Sequence, residues 1–152
     1  MSMTGRRIGP EAILSAITAE QPAIESLLEE LVSAPTLLGH EQPGQAIMRA
    51  AFADLGLEPR EVVLDAQALR AHPGAAPFSW ELSGKANVVA RWGPPEARGG
   101  RSLILNGHIC FGPHAETVHS IDERVYLPSV LQTAQALALF ISEWCGLEPA
   151  DS

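Results

Sequence analysis

The stretch Ser102-Leu103-Ile104-Leu105-Asn106-Gly107-His108-Ile109 decides how this chain is read. Three consecutive apolar residues read as a short buried strand, and Asn106-Gly107 ends it. A side chain just past the carboxyl end of such a strand faces the crevice where α/β sheets bind ligands. His108 stands there. Upstream, Asn87 to Trp92 (NVVARW) and Glu61 to Leu64 (EVVL) read as two further strands. Gly93-Pro94-Pro95 and Gly99-Gly100 bracket an exposed turn, and Asp65 to Trp80 reads as a loop or short helix. Downstream, Leu127 to Trp144 reads as a helix with Val130, Ala134, Leu137 and Ile141 as its buried stripe, and Gly146 lies just past its end.

Helices also come before the strands. Ile13, Leu14 and Ile17 suggest a short one. Ile24, Leu27, Leu28, Leu31 and Val32 mark a second, opened by Gln21-Pro22 and closed at Ala34-Pro35. Met48, Ala51, Phe52 and Leu55 mark a third, with Gly56 at the position of a C-terminal cap. The expected class is α/β, a small twisted sheet of about three strands with helices on both faces. The final helix, Leu127 to Trp144, is expected to pack on the sheet beside the opening ones.

At 152 residues and 46% apolar composition, the chain suits a single globular domain, 1–152. Its net charge of −8 rests on 18 acidic and 10 basic residues, and Lys85 is its lone lysine. That balance argues against a nucleic-acid partner, which needs a basic face. The opening Met1–Leu14 holds two arginines but no apolar stretch of signal-peptide length, and no run of about 18 apolar residues suggests a membrane span. Cys110 and Cys145 make no disulfide framework, so the expected compartment is the cytoplasm.

Polar chemistry concentrates between His108 and Glu123, in His108, Cys110, His114, Glu116, His119, Asp122 and Glu123. Imidazole and thiolate are zinc-type ligands. The spacing matches no zinc-finger pattern, however, and the same residues also read as a solvated loop. Asp122-Glu123 suits the acidic opening of the last helix. His40 and His72 read as surface residues in polar loops.

Leu105-Asn106-Gly107-His108-Ile109 resembles the start of the Asn-Gly-His-x-Asp signature of a family of zinc-dependent metallo-amidohydrolases. That family includes aminoacylase, acetylornithine deacetylase, succinyl-diaminopimelate desuccinylase and carboxypeptidase G. Gly84 to Gly93 and Gly100 to Leu105 are similar to the strands before that signature, as is Leu28 to Thr36 followed by Gly39 and Glu41. Phe111-Gly112-Pro113 and His119 to Val125 (HSIDERV) resemble the segment near the family's carboxyl terminus. Residues 1–109 thus resemble the family's N-terminal part and 110–152 its C-terminal part, joined near Ile109-Cys110. The family's dimerisation domain and the centre of its catalytic domain have no counterpart.

The resemblance implies zinc as cofactor and an N-acyl amino acid or peptide-like amide as substrate, with zinc activating water and a glutamate moving the proton. It makes His108 and His119 metal ligands, but of different zinc ions. Cys110 stands where the orienting aspartate belongs. The bridging aspartate, the glutamate pair that includes the general base, and the fourth carboxylate have no counterpart, so the expected chain is catalytically incompetent. Three alternatives stay open. One is a non-enzymatic module that associates with itself or with a full-length relative through an exposed sheet edge beside Ser102–Leu105. Another is a mononuclear zinc site of His108, Cys110 and His119, supplemented by His114. The third is a nucleophilic pair of Cys110 with His114 or His119.

Overall fold

A computed structural model describes residues 8–37, 39–93, 103–105, 113–116 and 124–146. It mixes helices and strands in the order α1 (Pro10–Ala19), α2 (Gln21–Ser33), α3 (Gln42–Asp54), β1 (Arg60–Val63), α4 (Ala66–Ala71), β2 (Ala86–Val89), β3 (Ala115–Glu116), β4 (Arg124–Val125) and α5 (Leu127–Cys145). The chain divides into two compact units. One comprises Met1–Ser26 with Glu96–Ser152, and the other is Leu27–Pro95. The expected join near Ile109-Cys110 lies outside the described residues.

In the first unit, α1 packs against α5. Pro10 opens α1 with its φ already helical and no N–H to leave unpaired. Ile13 is the apolar side chain that α1 buries. Thr18 Oγ1 returns a hydrogen bond to the Leu14 carbonyl (2.8 Å) and accepts one from Gln135 Nε2 (3.0 Å), which ties the two helices at a polar position. The stripe Val130, Ala134, Leu137 and Ile141, expected to be buried, is only half-buried. A helix that leans chiefly on one neighbour covers a narrower strip than one facing a sheet. Gly146 closes α5 at φ +75°, its N–H donating to the Ser142 carbonyl (3.0 Å).

In the second unit, β1 and β2 form an antiparallel ladder that pairs Arg60 with Val89 and Val63 with Ala86, and α3 lies against β2. Gly56 ends α3 as expected. At φ +72° its N–H reaches the Ala53 carbonyl (2.8 Å), and the Leu57 N–H reaches the Phe52 carbonyl (3.0 Å). These two bonds form a Schellman cap. Asp65 caps α4 by accepting the N–H groups of Gln67 (2.8 Å) and Ala68 (3.1 Å). Gln45 Oε1 accepts the Val88 N–H at 3.2 Å, a side-chain partner for a donor of β2.

The sheets differ from the expectation of about three strands. The described residues form two separate two-stranded antiparallel sheets, β1–β2 and β3–β4. Leu103–Leu105, read as a buried strand, has no ladder among the described residues, and Ile104 is 89% and Leu105 61% exposed. Apolar runs become strands only where a neighbouring chain pairs their N–H and C=O groups and covers their side chains. β2 also stops at Val89, short of Trp92.

Candidate functional site

Of the candidate metal ligands, His108, Cys110 and His119 lie outside the described residues, as do Asp122 and Glu123. His114 is described, and its surroundings show how the segment is fastened. Its carbonyl accepts the Tyr126 N–H (2.8 Å) and its N–H donates to Ser129 Oγ (2.7 Å). The Ser129 hydroxyl donates in turn to the Tyr126 carbonyl (2.6 Å). The β3–β4 ladder, Ala115 opposite Val125 and Glu116 opposite Arg124, continues this tie. One buried hydroxyl in the first turn of α5 therefore ties His114 to Tyr126, twelve positions later in the sequence. The His114 imidazole is exposed and meets Tyr126 edge-on, ring centroids 6.5 Å apart. Because α5 starts at Leu127, its first turn carries no acidic residue, and Asp122-Glu123 precede it.

No group of three or more His, Cys, Asp or Glu side chains among the described residues is placed to hold a metal ion. Cys145 is an exposed free thiol. No helix among the described residues is long and apolar enough to cross a membrane.

No protein-family model, no curated protein and no solved structure matches this chain.

The second unit carries a polar lock absent from the sequence reasoning. Lys85 Nζ donates to Glu41 Oε1 at 2.8 Å, and the same oxygen accepts the Gly39 N–H at 2.8 Å. The Lys85 hydrogen bond first, and the backbone N–H of Gly39 second, hold the Glu41 carboxyl down at a pKa of about 2. Gly39, Glu41 and Lys85 all lie in stretches singled out in the sequence, yet Glu41 and Lys85 are 44 positions apart. Their pairing joins the start of α3 to the approach to β2. Arg49 and Glu61 make a second ion pair, between α3 and β1.

The Glu41 pairing makes stability depend on pH. Its folded pKa is depressed, so its contribution is full above about 4.5 and is lost as pH falls toward about 2. The Glu41→Gln variant is expected to unfold at lower denaturant than the parent at pH 6, with a gap that narrows between pH 4.5 and pH 2. Urea midpoints at pH 6, 4 and 2.5 check this. A gap that stays constant across that range would show that Glu41 is not the titrating group.

Proposed function

We propose that this chain is a shortened relative of the zinc-dependent amidohydrolase family that has lost hydrolysis and acts as a non-enzymatic interaction module in the cytoplasm. It would be a reduced form of the family's catalytic domain that associates with a full-length relative through the apolar segment Leu103–Leu105. The observation that carries this reading is the exposure of Ile104 and Leu105, two apolar residues at the family-like signature that have no ladder partner among the described residues. An exposed strand-like apolar segment offers its backbone and side chains to a pairing chain.

The donor set does not suit the family's two-zinc centre. His108 and His119 match ligands of different ions, and the carboxylate that would bridge them has no counterpart in the sequence. Cys110 and His114 add a thiolate and an imidazole, which neither replace the bridge nor provide the general base. No catalytic step is therefore assigned to this chain.

Zinc content and turnover test the proposal together. The purified protein is expected to hold well under one zinc per chain and to release no amino acid from N-acyl amino acids. It is expected to co-purify with a longer relative, and Ile104→Asp is expected to abolish that pairing. About two zinc ions per chain with hydrolysis would overturn the reading. About one zinc, lost on both His108→Ala and Cys110→Ala, would replace it with the mononuclear zinc protein.

A further inference from the structure

The second unit contains an open cavity of about 320 Å³ lined by Arg70, Ala75, Ala76, Pro77 and Phe78. Four of these five residues are apolar, and the fifth is a cation in the last turn of α4. The Arg70 guanidinium carbon sits over the Phe78 ring, 5.0 Å from its centroid. Phe78 in turn leans on Trp80, centroids 5.7 Å apart and planes tilted by 36°. A guanidinium over an aromatic ring keeps a fork of N–H donors that matches a planar anion. In a chain with 18 acidic residues, no carboxylate among the described ones pairs with Arg70.

The loop that shapes the cavity is held in place. The His72 carbonyl accepts the Ala75 N–H (3.0 Å), and His72 Nδ1 accepts the Gly74 N–H (3.1 Å). A Cβ at Gly74 would lie 3.3 Å from the imidazole, so a side chain there would push directly on this bond. Part of the ordering that binding would otherwise require is thus already in place.

We infer that Arg70 and Phe78 form a binding site for a small organic carboxylate with a flat apolar body, the carboxylate on the guanidinium edge and the body against Pro77 and Phe78. The site lies within Leu27–Pro95 and draws on none of the candidate zinc ligands, so it stands whether or not the interaction-module reading does.

Titration calorimetry of the full chain with 2-naphthoate and with neutral 2-naphthamide tests it, in buffer with about 0.15 M salt to screen diffuse attraction. Naphthoate is expected to bind one-to-one and at least about tenfold more tightly than the amide, as a charge-assisted hydrogen-bonded pair requires. Arg70→Gln is expected to bring the two affinities together, and Phe78→Ala to weaken both. Arg70 is exposed, so Arg70→Gln should melt with the parent, which a thermal scan verifies. Equal affinity for acid and amide, unchanged binding by Arg70→Gln, or no heat at millimolar naphthoate would overturn the proposal. So would displacement of naphthoate by equimolar inorganic phosphate, which would make the site a general anion site.

Discussion

Ile13→Ala is expected to cost about 2–4 kcal/mol and to lower the melting temperature by roughly 5–10 °C. Ile13 is the apolar side chain that α1 buries, 8% exposed, in the unit where α1 packs against α5. Truncation removes the transfer energy of its outer carbons and leaves a void. The half-buried residues of α5 can close part of that void, which keeps the cost below the top of the range for buried isoleucines. Against a total stability of about 5–15 kcal/mol, the loss is large. Amide exchange should accelerate across Pro10–Ala19 and Leu127–Cys145 together, because either helix alone is marginal in water. Ile13→Val, which keeps the branch, should cost only about 0.5–1.5 kcal/mol. Equal effects of the two variants would show that the Ile13 contacts are not what joins these helices.

Leu82→Ala is expected to cost a similar 2–4 kcal/mol in the other unit. Leu82 is 5% exposed and sits in a turn tied by Glu81 Oε1, which accepts the N–H groups of Leu82 (2.9 Å) and Ser83 (3.0 Å). The Lys85 N–H returns to the Leu82 carbonyl (3.0 Å), so the buried leucine sets where β2 starts and where Lys85 meets Glu41. Its loss should expose the amides of Leu64, bonded to the Lys85 carbonyl, and of Val88, bonded to Gln45. Leu82→Met, nearly equal in volume, should retain their protection. Retained protection in Leu82→Ala would contradict the anchoring role.

The helices were the legible part of the fold because their ends are written in local chemistry. Pro22 and Ala34-Pro35 frame Gln21–Ser33, and Gly56 and Gly146 take the positive φ that ends α3 and α5. Strands were less legible, since whether an apolar run pairs depends on what lies beside it. Glu61 to Leu64 found β2, with a one-residue shift to Arg60–Val63, while Leu103–Leu105 found no ladder among the described residues. The β3–β4 pair was invisible because two residues per strand carry no period. In the candidate site, His114 was legible as a residue type, but its tether was not. Ser129 is an ordinary helix-opening serine until the chain brings the His114 N–H to it. The Glu41–Lys85 lock and the cation–π contact of Arg70 with Phe78 likewise join residues whose partnership is set by tertiary structure.

The ladder between β1 and β2 has a kinetic consequence. The strands are joined through residues 64–85, so their pairing closes a loop about ten times longer than a two-residue hairpin, at an added entropic cost of about 2 kcal/mol. Helix α4 forms from contacts within a few residues and can appear in under a microsecond, whereas the ladder must wait for the distant strand to arrive. Refolding of this unit should therefore be paced by the search for that encounter, and crosslinking the two strands would speed it far more than strengthening any helix.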